Sequence, residues 1–548
     1  MKMHTSGAFT ERWLSVAVFT SGMTTLAIEL TASRLLGNVF GTSNLVWANV
    51  IGLMLLYLTV GYFVGGKLAD RAPRPERLYQ IMAWGAFFSG LVPLVARPVL
   101  SVAASAVSSF EAGVALGSFV AVLILFALPI TLLGCVSPFA VRIAVQSVSE
   151  TGSVSGRLYA ISTLGSLIGT FLPTLWTIPT LGTTATFFLF AMLLLGVALA
   201  GLVMLGSVGR NVALRLAWMP PLLLALTLNA QSSALRPPPQ GSRLLWEHDS
   251  AYNYIQVLEL EAPVGQVVNG QFVTLWEAGT RELRLNEGQG IHSVWHPQRR
   301  DFGGTWDMFL AVPYFNPQPR VERVCVIGLA AGTISTQYTD VFGAHVQIDG
   351  IEIDPAIVEA GRRFFGMTQP NLRVIIEDGR LALNRLRQAG ERYDLIAIDA
   401  YRVPYVPWHL TTLEFFQEAR AALTEQGLVA INIGRTVRAD GTQDRRLIEA
   451  VTHTMQRVFP SVHTLDVPDS FNTILVGSAQ PTSITTLAAH RDRLPAESPL
   501  ALRRALAAAV EGARPSVPSD VLFTDDRAPV ETIINQMVID YLLSGSLR

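Results

Sequence analysis

The distribution of apolar runs limits the fold more than any other feature. A helix needs roughly 20 mostly apolar residues to cross a bilayer. Such runs are predicted at Trp13–Leu36, Asn44–Gly66, Tyr79–Leu100, Val114–Leu133, Leu158–Ile178 and Thr183–Leu205, all within the first 205 residues. A shorter run, Leu216–Leu228, carries Pro220 and Pro221 near its start and is expected to lie in the interface or re-enter. Residues 1–235 therefore read as an α-helical transmembrane bundle of six to seven spans. The first run is too long for the apolar core of a cleavable leader and is followed by another span.

Charges between the runs suggest an orientation. Lys67, Arg71, Arg74 and Arg77 share one connection, and Arg142, Arg157, Arg210 and Arg215 flank later ones. Basic loops favour the cytoplasmic side, which also puts the amino terminus inside. Inside the first run stand Glu29 and Arg34, and charge at membrane depth is costly unless paired or facing a cavity. The two readings are a substrate or proton site, and a structural ion pair with other helices. Gly61 and Gly65 have the spacing that lets helices pack closely.

Beyond Arg236 the character changes. The 548 residues are 50% hydrophobic and 15% charged overall, but that average joins two unlike halves. Net charge is −1 with no basic stripe, so no nucleic-acid partner is expected. Cys135 and Cys325 lie in apolar settings and read as core residues. His292 and His296 show no metal-ligand spacing, and no metal is expected.

The Pro-rich stretch 236–243 is a linker. Residues 244–300 read as a small antiparallel β domain, with a strand through Tyr252–Leu258 and another ending in an Asn286–Gly288 turn. Residues 301–548 alternate strand and helix. Strands are predicted at Arg323–Ile327, Val346–Ile351, Leu372–Ile376, Leu395–Ile398, Leu428–Ile433, Val462–Leu465 and Asn472–Val476, with helices at Pro355–Phe364 and Gly379–Gln388. The pattern is that of an open, mostly parallel, doubly wound α/β sheet.

Such sheets bind ligands beyond the carboxyl ends of their strands. Four segments fall there. "VIGLAAG" is a turn with Gly328 and Gly332, where missing side chains allow close backbone approach. "IEID" ends in Glu352, placed to hold ribose hydroxyls. "EDGR" brings Asp378 and Gly379, where an acid can accept from an adenine amine. "YDLIAIDAY" ends in Asp399, beside the reacting group. Asp354 precedes Pro355 and reads as a helix cap. "FTDDRAPVE", Phe523–Glu531, has two readings, a border of the active site and the cap of a carboxy-terminal helix through Asp525 or Asp526, and the cap is the one expected.

These motifs, with "SAYNYIQV", "LRLNEGQ", "HPQ" and "LTTLEFFQEARAALTEQGLVAIN", resemble the spermidine synthase (polyamine aminopropyltransferase) family across about Leu244–Gly434. With the apolar half added, the chain resembles the membrane-fused, spermidine synthase-like proteins of bacteria. The resemblance implies a small β domain and a Rossmann-like domain of the class I methyltransferase type. It implies transfer of an aminopropyl group from decarboxylated S-adenosylmethionine to an amine. Asp399 then matches the catalytic carboxylate, Glu352 the ribose binder, and Asp378 with Gly379 the adenine contact. Gly328 and Gly332 match the donor turn, and Tyr401–Leu410, with Tyr401 and Arg402 at its start, match the loop that closes over the substrate.

The chain also departs from that family. Its turn reads "GLAAG", with Ala331 in place of the acid that meets the aminopropyl ammonium. Arg402 stands where a second acid binds the polyamine. Thr305, Trp306 and Asp307 stand at the Tyr-His-Glu stretch. An S-adenosylmethionine-dependent methyltransferase, and a transporter-like protein with a nucleoside- or polyamine-sensing domain, are the alternatives. The expected setting is the inner (plasma) membrane, with a small-molecule amine and the lipid bilayer as partners. The catalytic half is expected on the cytoplasmic side, where the donor is made, and the resemblance implies a homodimer.

Overall fold

The computed structural model describes residues 4–40, 44–107, 111–145, 147–231, 238–268, 271–286, 290–401, 406–438 and 442–545. The chain divides into two compact units, residues 1–237 with 249–251, and residues 238–248 with 252–548.

The first unit is all helix: α1 His4–Phe40, α2 Asn44–Arg71, α3 Pro75–Val107, α4 Glu111–Gly134, α5 Val136–Ala144, α6 Thr151–Leu172, α7 Ile178–Met204, α8 Gly206–Leu216 and α9 Met219–Gln231. Among the described residues, six helical stretches are long and apolar enough to cross a membrane. One of them, Val148–Met204, holds two of the predicted runs. It is interrupted by a π turn at Pro173–Thr177 and by Gly182, whose φ of +82° breaks the helix. Another joins α8 and α9 as Gly206–Leu228, so the weak seventh run has the length and composition of a span after all. The reason is that Pro220 and Pro221 occupy the first turn of α9, where a missing N–H costs nothing.

Large apolar side chains point outward as well as inward: Phe63 is 70% exposed and Leu175 73%. Gly61 and Gly65 are packing positions. A Cβ on Gly61 would lie 2.4 Å from the Thr131 carbonyl oxygen, and one on Gly65 2.5 Å from Cys135 Cα. Arg34 is an ion-paired residue within this unit. It donates to Asp249 Oδ1 at 2.9 Å, and Asp249 Oδ2 accepts from the Thr183 hydroxyl at 2.6 Å.

The second unit opens with β1 Ser242–Asp249, β2 Tyr254–Leu260, β3 Val264–Val268, β4 Gln271–Trp276, β5 Arg281–Leu285 and β6 Ile291–Trp295. These form a four-stranded sheet, β1-β2-β5-β6, and a separate β3-β4 ribbon. After α10 Thr305–Phe309 come β7 Arg323–Ile327, α11 Thr333–Phe342, β8 Gln347–Glu352, α12 Pro355–Phe364, β9 Leu372–Ile376, α13 Gly379–Gln388, β10 Tyr393–Ile398, α14 Leu413–Ala421 and β11 Leu423–Gly434. The short pair β12 Thr436–Val437 and β13 Gln443–Asp444 leads to α15 Arg446–Gln456, β14 Ser461–Asp466 and β15 Asn472–Ser478. Then follow α16 Ile484–Arg493, α17 Leu500–Glu511, β16 Ala513–Arg514 and α18 Val530–Gly545.

The main sheet has eight strands in the order β16-β14-β15-β11-β10-β7-β8-β9. Strands β9, β8, β7, β10 and β11 run parallel, as the alternating pattern predicts. The far edge does not: β15 is antiparallel to both β11 and β14, and β16 is antiparallel to β14. A tight connection joins β14 to β15, and only antiparallel neighbours can be joined so closely. The fold is a Rossmann-like mixed sheet, parallel from β9 to β11 as predicted and antiparallel at the far edge.

The central strands are buried on both faces, so their sequences are nearly continuous apolar runs. Alternate residues serve opposite cores. Val324, Val326, Leu395, Ala397, Leu428 and Ala430 pack with Tyr338, Phe309 and Phe315 on one side. Cys325, Ile327, Ile396, Ile398, Val429 and Ile431 pack with Phe415, Phe416 and Phe523 on the other. Both cysteines are buried and free, as core residues should be.

Candidate functional site

The register of the sheet builds the site. Ile327 of β7 pairs with Ile351 of β8 and Ile398 of β10, and Ile398 pairs with Ile431 of β11. The next residues along each strand are Gly328, Glu352, Asp399 and Asn432. They leave the sheet at one height on its carboxyl edge, where open α/β sheets bind ligands.

The turn after β7 requires its glycines. Gly328 has φ +83° and Gly332 +89°, in the left-handed region that side chains disfavour. A Cβ on Gly328 would lie 2.6 Å from the Asp399 carbonyl oxygen, so the turn rests directly on the end of β10. Between the glycines, Ala330 also holds a positive φ, +47°. Neighbours keep it there: its N–H donates to Glu352 Oε2 at 2.9 Å, and the Ala331 N–H donates to Ser293 Oγ at 2.9 Å.

Glu352 therefore has a backbone bond on each oxygen, since Oε1 accepts from the Asp354 N–H at 3.1 Å. Burial pushes its carboxyl up to about 7, further than these bonds pull it down. Asp354 is the cap of α12, accepting from the Ala356 N–H at 3.0 Å, as its place before Pro355 predicts. Asp378 caps α13: Oδ1 accepts from the N–H groups of Arg380 and Leu381 at 3.0 and 3.1 Å. Its other oxygen lies 3.3 Å from His409 Nε2. Gly379 lets α13 begin hard against β7, for a Cβ there would fall 2.4 Å from Ile327 Cγ2.

Large apolar side chains stand open around these acids. Ile353 is 41% exposed, Ile376 53%, Leu381 64% and Trp408 46%. Glu352 and Ile376 are register partners, so Ile353 leaves β8 beside the end of β9. An apolar ledge next to a few fixed acceptors suits a flat, polar-edged ligand such as a nucleoside base.

Asp399 is different in kind. Its Oδ1 accepts from Asn432 Nδ2 at 2.9 Å, and no other side-chain bond reaches it among the described residues. Burial pushes its carboxyl up to about 6, and the Asn432 bond pulls the other way. Tyr401 follows two residues on, and burial together with the Asp399 charge pushes its hydroxyl well up. Arg402 lies outside the described residues. Asp307 sits behind the turn rather than on the open edge. It accepts from the N–H groups of Phe302 (3.1 Å) and Gly303 (2.8 Å) and from Gln337, and burial raises it to about 6.

Gly328, Gly332, Glu352, Asp378, Gly379, Asp399 and Tyr401 thus lie along one edge of one sheet. His409 lies in the predicted Tyr401–Leu410 loop, but the sequence did not reveal Asn432 or the Ile353–Leu381 ledge, because each becomes part of the site only through its neighbour on another element. The Asp525 expectation is corrected. Instead of capping α18, its carboxylate accepts from Arg380 and from the Thr412 hydroxyl, because α18 begins only at Val530. A cleft of about 340 Å³ opens at the opposite, amino ends of β7–β9, lined by Arg323, Asp349 and Arg373. Its arginines are already matched by Asp349 and Glu391.

Residues 310–472 match the spermine/spermidine synthase domain model. That stretch is similar to the spermine/spermidine synthase family. Proteins similar to the chain include a polyamine aminopropyltransferase of Vibrio vulnificus, 31% identical over 172 residues, 31% of this chain and 54% of that protein. A probable polyamine aminopropyl transferase of Bifidobacterium longum is 26% identical over 233 residues, 42% of this chain and 46% of the relative. The chain thus spans about half the length of these curated relatives. The human eEF1A lysine and N-terminal methyltransferase is 26% identical over 179 residues, 30% of this chain and 24% of its own. Among solved structures, the spermidine synthase of Thermotoga maritima aligns at TM-score 0.37 and 17% identity, covering 53% of this chain and 96% of that one. The matched stretch runs from just after α10 to the start of β15, and includes Gly328, Gly332, Glu352, Asp378, Gly379, Asp399 and Asn432 but not Asp307 or Asp525.

Proposed function

We propose that the protein is a membrane-embedded, spermidine synthase-like transferase, moving an aminopropyl group from decarboxylated S-adenosylmethionine to an amine. The observation that carries this reading is Asp399, a partly buried carboxylate with one oxygen fixed by Asn432, next to the Gly328 turn. Glu352 and Asp378, with the apolar ledge, fit the nucleoside end of such a donor.

The chemistry asks little of the protein beyond placement and charge. A neutral amine attacks the carbon attached to the sulfonium. A C–N bond forms, the C–S bond breaks, and its electron pair returns to sulfur as a neutral thioether. The new ammonium gives its surplus proton to the Asp399 carboxylate. With a value of about 6, Asp399 is mainly ionised at pH 7 and can accept that proton. Its negative charge also steadies both the sulfonium and the developing ammonium, more so in a site poor in water.

One observation favours a second reading, methyl transfer from S-adenosylmethionine to a different acceptor. Between Gly328 and Gly332 the turn offers no acid to an aminopropyl ammonium, and the Ala331 N–H already donates to Ser293. A turn without an acid tolerates the donor's own carboxylate. The outward apolar side chains of the first unit support a bilayer setting. The cytoplasmic side for the catalytic unit follows from where the donor is made, and it requires that Gly206–Leu228 add no seventh crossing.

The test offers both donors separately to the detergent-purified full chain, with a panel of di- and polyamines, and reads products by mass. An aminopropyl adduct supports the first reading and a methyl adduct the second. Absence of either product with every amine overturns aminopropyl transfer.

A further inference from the structure

The "FTDDRAPVE" segment is not used by the chemistry above, yet it reaches the nucleoside end of the site. Arg380 is the second residue of α13, just after the Asp378 cap. A guanidinium has five N–H donors in a rigid fork. Here each has an acceptor. Nε and Nη2 donate to the two oxygens of Glu418 at 2.7 and 2.8 Å. Nη1 and Nη2 donate to the two oxygens of Asp525 at 2.7 and 2.8 Å. Nη1 also donates to the His409 carbonyl at 3.3 Å.

Asp525 is tied on its other side as well. Its Oδ1 accepts from Thr412 Oγ1 at 2.7 Å, and Thr412 is the cap of α14. Its own N–H donates to Glu414 Oε2 at 2.9 Å, and the Leu413 N–H donates to the Phe523 carbonyl at 2.9 Å. Phe523, Val530, Ile534 and Met537 share a core with Val406, Leu410 and Phe415. The Arg380 charge and the Thr412 bond hold the Asp525 carboxyl below its ordinary value. So one carboxylate, 145 residues along the chain, ties the start of α13 to the start of α14, and the Arg380 that it holds reaches the turn with Trp408 and His409.

We propose that Asp525 is a positioning residue for the nucleoside end of the site. It acts through Arg380, which fixes the helix start bearing Asp378 against the turn bearing His409 and Trp408. It does not touch the reacting atoms. This inference rests on the reading of Asp378 as a nucleoside contact. A plain surface ion pair would contribute little. What sets this one apart is a two-sided fork on an Arg380 side chain only 15% exposed.

The experiment uses the full chain and its Asp525→Asn, Asp525→Glu, Arg380→Lys and Asp526→Asn variants. Asp526 is the exposed neighbour. Two readouts are taken: the Kd for methylthioadenosine and for S-adenosylhomocysteine, and amide exchange in peptides covering 379–388 and 408–416. Asp525→Asn and Arg380→Lys are expected to raise Kd about tenfold, the scale of one lost charge-assisted bond. Lysine keeps the charge but cannot serve two carboxylates as a fork does. Exchange should quicken in both peptides. Asp525→Glu should recover most of the affinity, and Asp526→Asn should behave as wild type.

Unchanged binding in Asp525→Asn, or equal losses in the Asp525 and Asp526 variants, overturns the proposal. If the unaltered protein binds neither nucleoside, it is the donor reading that fails. Exchange then decides, and an unaltered 408–416 peptide in Asp525→Asn removes the tie itself. Should Asp525→Asn not fold, Arg380→Lys supplies the same comparison.

Discussion

The two ends of the site's edge hold their acids in opposite ways. At β8 and β9, Glu352, Asp354 and Asp378 each accept backbone N–H groups, and each helps shape the chain around it. At β10, Asp399 accepts a single side-chain bond among the described residues, from Asn432. Acids of the first kind fix where a ligand can lie. An acid of the second kind keeps an oxygen for something that arrives. On the proposed reading the contrast puts binding at one end and chemistry at the other, a difference in hydrogen bonding that the sequence, where Glu352, Asp378 and Asp399 each follow a predicted strand, does not display.

The sharpest attack on that contrast is Asp399→Asn. Asparagine can still accept from Asn432 but cannot take a proton. Turnover should fall by roughly 10²- to 10⁴-fold, the usual worth of a placed general base, while the Kd for methylthioadenosine stays put. A loss below tenfold would put the chemistry elsewhere. Protonation offers the same test without a substitution. The rate should fall as pH drops through about 6 and Asp399 takes up a proton, and the residual rate of Asp399→Asn should lack that step. Stability moves the other way. A folded value raised above the ordinary 3.8 means that the protonated form is favoured in the fold. Its contribution is complete below about pH 4 and lost as pH rises through about 6. Asp399→Asn should therefore melt higher than wild type at pH 8, and the gap should close as pH falls to 4.

Glu352→Gln tests the binding end. The amide can accept one of the two backbone bonds, not both, and puts a donor against the other N–H. Affinity for methylthioadenosine should drop about ten- to a hundredfold, with kcat at saturating donor changed far less. A kcat effect as large as that on affinity would erase the distinction between the two ends. The mildest case is Asp354→Ala. Losing this cap should cost about 1 kcal/mol of stability, measured by chemical denaturation, with kcat at saturating donor nearly unchanged.

Much of this edge was legible in the sequence because local signals and the fold agree. Pro355 announces the start of α12 and the Asp378–Gly379 pair the start of α13, and both helices have the predicted limits. Apolar runs ending in an acid mark β8 and β10 for the same reason. What stayed hidden depends on partners far along the chain. Asn432 matters because Ile398 and Ile431 are register neighbours, which a strand pattern does not reveal. Asp525 looked like a cap because it stands before a helix, and its real partner lies 145 residues away. The reversed β15 was missed too, since apolar alternation carries no direction.

The burial of both thiols has a practical side. Cys135 is 1% exposed and Cys325 0%, so a water-borne maleimide has little native sulfur to attack. A cysteine placed at exposed Ser149, or at exposed Ser516, becomes the one readily labelled position in its variant. The protein already has the silent background that chemical mapping of sidedness needs, so the proposed bilayer setting can be tested without removing a single native residue from either core.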